Sequence, residues 1–219
     1  MIINVDGLTV VMITCQQREP TYLHDTLASL RKATYTSLGL SFTIFNDIKR
    51  LANRNASDAL EFASGIQRPW VLFLEDDIQV CARFFDSVSA WLTRWQSPEY
   101  RIYSFGCAYP EVSERIPGRE SWPYPIDQFY GTQAFAIRRE DAATLAEYLA
   151  TTDDPPGQYD LSMHKWARKF YPSLNYFLAS VPSFVQHIGT VSSIRPDEPS
   201  FTFQSFPGED WSYVKDGAK

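Results

Sequence analysis

Residues 70–77 read WVLFLEDD, a run of apolar residues followed directly by three carboxylates. A short, unbroken apolar run of this kind predicts a strand that is buried on both faces, as in a parallel sheet covered by helices. Open α/β sheets bind ligands at the carboxyl ends of their strands, where Glu75, Asp76 and Asp77 would stand. Carboxylate oxygens suit Mn²⁺ or Mg²⁺, which proteins commonly share with substrate phosphates. The stretch suggests a metal-assisted diphosphate site, and its alternative interpretation is a solvated acidic turn.

Strand and helix patterns alternate on both sides of this stretch. We expect strands at residues 8–14 and 41–45, and helices from residue 21, at residues 55–63 and at residues 84–95. This β-α alternation is typical of a parallel sheet flanked by helices. The second half predicts strands at 101–107, 131–137 and 175–181, helices around 142–149 and from Asp160, and a long loop at 109–127. The pattern predicts a single α/β domain.

The composition limits the classes of function. The 219 residues are 44% hydrophobic and 15% aromatic, enough for a sizeable core, and a net charge of −6 gives no overall attraction to nucleic acid or anionic membranes. Three widely spaced cysteines (Cys15, Cys81 and Cys107) lack metal-ligand spacing, so we expect reduced thiols. The N-terminus does not resemble a secretory signal, and no apolar run has membrane-spanning length. We therefore expect a cytoplasmic protein without membrane insertion.

Three segments carry a resemblance to a known family. They are QQREPTYLHDTLASL (16–30), WVLFLEDDIQVCARFFDSV (70–88) and PSFVQHIGTVSSI (182–194). In order and spacing they resemble the N-acetylglucosaminyltransferase IV family, within the GT-A class of nucleotide-sugar glycosyltransferases. The resemblance implies one Rossmann-like GT-A domain, which we expect to divide into a nucleotide-sugar half at about 1–108 and an acceptor half at about 128–195. The Pro-, Ser- and Phe-rich composition from Arg195 onward predicts an aromatic C-terminal tail at 196–219. The anchor, stem and lectin-like module of the animal members have no counterpart here, so we expect a different acceptor.

The resemblance also implies a metal site built from two distant segments. Glu75-Asp76-Asp77 would be the DxD-type motif, with Asp77 as the metal ligand, Asp76 reaching the donor ribose or the metal, and Glu75 near sugar hydroxyls. His187, within the matching pattern His-x-Gly-x-x-Ser-Ser, would complete the coordination. The bound cation would stabilise the charge that develops on the departing diphosphate. A histidine packed under the tail and bonded to backbone is the alternative.

Asp160 is the candidate general base. An inverting transfer needs a carboxylate that removes the proton of the acceptor hydroxyl. Asp160 opens a predicted helix on the acceptor side, where the alternative role is an N-cap. Asp153 and Asp154 are competing candidates.

Further residues are candidates for donor binding. Every residue type among them is also common in loops or caps, and a glycine is also common where the chain enters a strand. They are Thr14 and Arg18 just after the first strand, Asp47 at the end of the second, and Asn55 on the next helix. Gly131 and Gln133, at the start of the predicted strand 131–137, are expected to line the sugar and acceptor pocket. His24 and His164 lie on predicted helices, and we expect both to be structural or solvated.

Together these features suggest a metal-dependent, inverting transferase that moves a hexose or N-acetylhexosamine from a UDP-sugar to a hydroxyl acceptor. The acceptor would be a glycan or, alternatively, a hydroxymethylated pyrimidine of viral DNA. The basic residues His164, Lys165, Arg168 and Lys169 form either a solvated helix face or a DNA contact. Aromatics in or beside the long loop (Tyr109, Trp122, Tyr124 and Phe129) could stack on a sugar or an extruded base. Other classes remain open: a two-metal phosphatase or nuclease, and a catalytically silent carbohydrate- or nucleotide-binding module.

Overall fold

The structure is a computed structural model that describes residues 7–15, 20–33, 42–47, 52–107, 118–154, 158–189 and 202–214. Within these ranges the chain forms nine strands and five α-helices. In chain order they are β1 (Leu8–Cys15), α1 (Pro20–Ala33), β2 (Phe42–Asp47), α2 (Ala52–Gly65), β3 (Trp70–Glu75), β4 (Ile78–Val80), α3 (Phe84–Trp95), β5 (Ile102–Ser104), β6 (Ser121–Pro125), β7 (Ala134–Arg138), α4 (Arg139–Thr151), α5 (Tyr159–Phe170), β8 (Tyr176–Ser180) and β9 (Val185–His187).

In the described part of the chain, seven strands form one sheet in the order β2-β1-β3-β7-β5-β8-β6. Strands β2, β1, β3, β5 and β8 run in one direction, while β7 and β6 run against them. The other two strands, β4 and β9, form a separate antiparallel ribbon. The predicted α/β class, with a mostly parallel central sheet flanked by helices, is confirmed.

Strand β3 lies inside the sheet, and every one of its residues is buried. Its side chains alternate between the two faces of the sheet, as the pleat requires. Val71 and Phe73 join a core that α2, α4 and α5 cover. Trp70, Leu72 and Leu74 join a second core beneath α1 and α3. Helices on both faces explain why the β3 sequence is continuously apolar rather than alternating.

The carboxyl ends of β1, β2 and β3 meet at one edge of the sheet. Cys15 pairs with Asp47 at the end of β2, and Ile13 pairs with Glu75 at the end of β3. The acidic motif therefore leaves the sheet beside residues 14 and 15. This edge is the position expected for a ligand in an α/β sheet.

One strand lies where a loop was predicted. β6 forms within the expected loop at 109–127, whose residues 108–117 lie outside the described part of the structure. Its prolines, Pro123 and Pro125, suggested irregular structure because proline cannot donate a backbone hydrogen bond. β6 tolerates them because it is the last strand of the sheet and pairs only with β8.

The predicted aromatic C-terminal tail is confirmed for its described residues, 202–214. Phe203 is fully buried, and the rings of Trp211 and Tyr213 each lie 5.6 Å from the ring of Phe184. The tail thus packs on the segment that leads into β9. Among the described helices, none combines the length and apolar character needed to cross a bilayer.

Candidate active site

The three consecutive carboxylates are buried and point to three different places. Glu75, Asp76 and Asp77 are 7%, 2% and 2% exposed. A buried carboxylate is costly unless hydrogen-bond donors or opposite charge compensate for its lost hydration. Each of the three has such a contact, and each contact comes from a different part of the chain.

Glu75 is the last residue of β3, and its side chain lies on the face covered by α5. Its Oε1 accepts a hydrogen bond from Thr132 Oγ1 (3.1 Å) and another from the hydroxyl of Tyr159. Tyr159 is the first residue of α5, and its ring lies 6.0 Å from that of Phe73. The sequence had not indicated Tyr159, whose role depends on how α5 packs. Glu75 therefore ties the start of α5 to the strand end.

Asp76 points towards β1. Its Oδ2 accepts a hydrogen bond of 2.5 Å from Thr14 Oγ1. The backbone of the turn is held by Thr26 of α1, which accepts a hydrogen bond from the Ile78 N–H at 3.0 Å and lies 2.7 Å from the Asp76 carbonyl oxygen. Thr26 is fully buried and had also not been identified from the sequence. It fixes the change of direction between β3 and β4.

Asp77 meets His187, a residue 110 positions away in the chain. Asp77 Oδ2 lies 3.0 Å from His187 Nε2, and the two side chains are 3% and 8% exposed. The ribbon sets this contact, because Ile78 of β4 pairs with His187 of β9. The Ile188 N–H also donates to the Asp77 carbonyl oxygen at 2.9 Å. The two residues predicted as metal ligands are therefore adjacent.

The surroundings of this pair fit a divalent cation. A carboxylate oxygen and an imidazole nitrogen are suitable ligands for Mn²⁺. The two atoms lie 3.0 Å apart, at hydrogen-bonding distance, which is close enough for one cation to contact both. Gly189 leaves the approach open, since a Cβ there would lie 2.7 Å from Asp77 Oδ2 and 3.0 Å from His187 Nε2. In the ranges that the structure describes, no cluster of three or more His, Cys, Asp or Glu residues could hold a metal. Asp77 and His187 thus supply a partial ligand set.

Two of the residues expected to bind the donor lie beside the acidic turn. Thr14 contacts Asp76 through its hydroxyl, and its carbonyl oxygen accepts a hydrogen bond of 3.3 Å from Asn55 Nδ2. Asn55 Nδ2 also lies 3.2 Å from the Phe45 carbonyl oxygen, so it links the ends of β1 and β2. Asp47 ends β2, although its side chain is outside the described set, and Arg18 lies outside the described residues altogether.

Gly131 and Gln133 lie next to Glu75 across the sheet. A Cβ on Gly131 would overlap Ser104 Oγ, so close packing already explains this glycine. The Gln133 carbonyl oxygen accepts the Glu75 N–H at 2.9 Å, and the residue is 8% exposed. Its Oε1 is buried without a hydrogen-bond partner in the described part of the chain.

Asp160 lies in the first turn of α5, directly after Tyr159. The N-cap of this helix is Gln158, so the alternative interpretation of Asp160 as the cap is wrong. Asp160 is half-buried, and its Oδ1 accepts the Leu161 N–H at 2.8 Å. A carboxylate in the first turn is favoured by the helix dipole. The competing Asp154 accepts a hydrogen bond of 2.8 Å from Ser162 Oγ and contacts Lys165.

The remaining histidines lie away from the acidic turn, as expected. The His24 side chain is 82% exposed on α1. His164 is buried on α5, and its Nε2 lies 2.9 Å from the Phe129 carbonyl oxygen.

The aromatics predicted to stack on the acceptor are differently placed. Tyr124 and Phe129 are buried core residues, so their rings are not available for stacking. Trp122 is half-buried, and the Arg119 guanidinium carbon lies over it, 4.7 Å from the centre of the Trp122 ring. Tyr109 lies outside the described residues.

Comparisons with known proteins give structural similarity alone. No family model matches the chain, and no curated protein matches it. It is similar to a crystal structure of a glycosyltransferase involved in the glycosylation of the major capsid of PBCV-1, with 13% identity, a TM-score of 0.48, and coverage of 78% of this chain and 80% of that one. It is also similar to the mannosyltransferase PcManGT from Pyrobaculum calidifontis in complex with GDP-Man and Mn²⁺, with 16% identity, a TM-score of 0.49, and coverage of 83% of this chain and 59% of that one.

Proposed function

We propose that this protein is a metal-dependent, inverting glycosyltransferase that moves a sugar from a UDP-sugar to a hydroxyl acceptor. One observation carries the proposal: Asp77 and His187 converge to 3.0 Å at the carboxyl edge of the sheet, with Gly189 against them. Two buried side chains from distant segments, with a glycine leaving space beside them, are more consistent with a shared cation site than with a solvated acidic turn. The order of the three segments resembling N-acetylglucosaminyltransferase IV supports the GT-A assignment.

The proposed cation is Mn²⁺ or Mg²⁺, held by Asp77 and His187. When bound, it would stabilise the negative charge of the leaving diphosphate. The protein's incomplete ligand set suits this use, because such ions commonly complete their coordination with substrate phosphates and water. Hydrogen bonds connect Thr14 to both Asp76 and Asn55 beside this position. We propose that these three residues face the nucleoside part of the donor.

The proposed acceptor side begins at α5. Glu75 anchors Tyr159 by a hydrogen bond, so Asp160 follows at a position fixed relative to the strand end. We assign Asp160 as the base that takes the acceptor proton while the diphosphate leaves from the opposite face of the sugar. Gln133, whose carbonyl oxygen accepts the Glu75 N–H, would offer its unpartnered amide oxygen to a sugar hydroxyl.

A glycan is favoured over DNA as the acceptor because the basic face of α5 is occupied by internal contacts. Lys165 is paired with Asp154, and Arg168 lies 2.9 Å from Asp127 Oδ2. The Lys169 ammonium lies 5.5 Å from the ring centre of Tyr148. Cations that already have partners contribute less to phosphate binding, in which free Lys and Arg side chains displace the counterions condensed on the phosphates.

Turnover of a panel of UDP-sugars with Mn²⁺, with and without EDTA, tests the proposal. We expect slow UDP release that accelerates with an acceptor sugar, stops with EDTA, and is abolished in Asp77→Ala and His187→Ala. The anomeric configuration of the product, read by NMR, should be inverted. His24→Ala is the matched control, because this exposed histidine lies on α1 and should not affect turnover.

Each competing function gives a different result in the same assay. Release of inorganic phosphate would indicate a phosphatase, and nucleotide binding without turnover would indicate a silent binding module. Full activity of Asp77→Ala, or of the wild type in EDTA, would contradict the metal assignment.

A further inference from the structure

Strand β9, which carries His187, is short, and apart from its pairing with β4 it is supported by a hydrogen bond of 3.3 Å from the Val185 N–H to the Phe105 carbonyl oxygen. It has three residues and pairs with β4, which also has three. An isolated two-stranded ribbon is at best marginally stable in water. The position of the imidazole therefore depends on what lies against the other side of β9.

The described part of the C-terminal tail (residues 202–214), called the C-terminal strap from here on, is hydrogen-bonded to the side chain of Gln186 in β9. Gln186 Oε1 accepts the Phe203 N–H at 2.6 Å, and Gln186 Nε2 donates to the Phe203 carbonyl oxygen at 3.2 Å. The terminal amide thus pairs with both backbone groups of Phe203, as a neighbouring strand would. The same Oε1 also accepts the His187 N–H at 3.1 Å.

The strap is firmly seated, so it can act as a fixed reference for this contact. The Phe203 ring is fully buried against Gly106, where any Cβ would overlap it. Ser205 Oγ lies 2.6 Å from Ser183 Oγ, and the Tyr213 hydroxyl donates to Glu120 Oε2 at 2.8 Å. These anchors connect the strap to three separate parts of the protein.

From this arrangement we propose that Gln186 is a positioning residue that holds His187 in place for the metal by tying β9 to the C-terminal strap. The inference rests on the proposed function, since it assigns a support to one ligand of that metal site. Partners that orient a ligating histidine typically contribute 10–100-fold to metal affinity. Gln186 does this through the backbone N–H of the ligand.

Titration with Mn²⁺ alone, followed by the EPR signal of the free ion, tests the inference without turnover. Gln186→Met keeps the length of the side chain and removes its hydrogen bonds, so the dissociation constant for Mn²⁺ should rise about 10-fold or more. Gln67→Met makes the same change at an exposed residue that accepts a hydrogen bond from Arg139, away from the strap, and should leave the constant within about twofold of wild type, well below the loss expected for a ligand support. Thermal melts confirm that each variant is folded at the temperature of the titration.

The controls separate this inference from the proposed function. His187→Ala should lose Mn²⁺ binding; if it does not, the metal site itself is wrong. If His187→Ala loses binding and Gln186→Met binds like wild type, only the positioning role is overturned. Should Gln186→Met fail to fold, Phe203→Leu decides, because it loosens the strap and leaves Gln186 intact. Wild-type affinity in that folded variant would also overturn the inference.

Discussion

Gly189→Ala should disable the candidate metal site by adding a single methyl group. Its Cβ would lie 2.7 Å from Asp77 Oδ2 and 3.0 Å from His187 Nε2. Relaxed contacts between carbon and its neighbours are found near 3.5 Å, so these atoms must separate by roughly 0.5 Å or more. Metal–ligand distances hold to about 0.2 Å, which makes a displacement of this size incompatible with the wild-type geometry.

The expected loss follows from the cost of this overlap. Overpacking a closely packed position typically costs about 1–3 kcal/mol, which corresponds to about 5- to 150-fold in an equilibrium constant. We expect the loss in Mn²⁺ affinity, because the side chains of Asp77 and His187 can give way, while His187 is paired in the β4–β9 ribbon and the Asp77 carbonyl oxygen accepts the Ile188 N–H. The assay is Mn²⁺ titration followed by UDP-sugar turnover at saturating Mn²⁺.

Gly65→Ala is the matched control for this substitution. Gly65 ends α2, and a Cβ there meets nothing within 4 Å. This variant should bind Mn²⁺ and turn over the donor like wild type. A folded Gly189→Ala protein with wild-type Mn²⁺ affinity would refute the view that Asp77 Oδ2 and His187 Nε2 hold the ion.

The other predictions concern α5 and its surroundings. Tyr159→Phe removes a buried hydrogen bond to the Glu75 carboxylate and should lower the free energy of unfolding by about 1.5–3 kcal/mol in denaturant melts, whereas an unchanged value would mean that the contact contributes nothing. Asp160→Asn should lose most of its turnover with near wild-type affinity for the UDP-sugar, since a base acts on the acceptor; a variant that retains turnover would exclude Asp160 as the base. Burial opposes ionisation of Asp154, but hydrogen bonds from Lys165, Ser162 and Thr152 outweigh it and lower the pKa of Asp154 from its ordinary value. This stabilisation is present above the ordinary pKa of an aspartate and is lost as the pH falls through the lowered pKa of the folded state. Lys165→Met should therefore be less stable than wild type at pH 7 and converge with it in strong acid; a pH-independent difference would contradict the pairing.

The long elements of the fold were predictable because each carries its own periodicity. Strand β3 is indicated by its apolar run, and the helices by apolar residues spaced at helical intervals. The ribbon strands β4 and β9 were not found, since three residues are too few to show any period. Strand β6 was hidden by its prolines, which only its edge position makes acceptable.

The candidate site was predictable where chemistry showed in the sequence, and not where packing created it. The carboxylates at the end of β3 follow from the sheet pattern alone. Pairing Asp77 with His187 required the family resemblance, because 110 residues separate them. Tyr159, Thr26 and Gln186 carry no signal of their own, as each acts through a contact that only the folded chain brings about.

The acidic motif shows how three consecutive carboxylates acquire separate roles. Glu75 still belongs to β3, so its side chain follows the pleat and meets hydroxyl groups from α5 and residue 132. Asp76 is one position later and points towards β1, where Thr14 holds it. If the strand continued, Asp77 would return to the face of Glu75. Thr26 instead fixes a turn at this point, and the chain enters the ribbon that carries Asp77 to His187. The metal role therefore depends on the end of the strand as much as on the carboxylate itself.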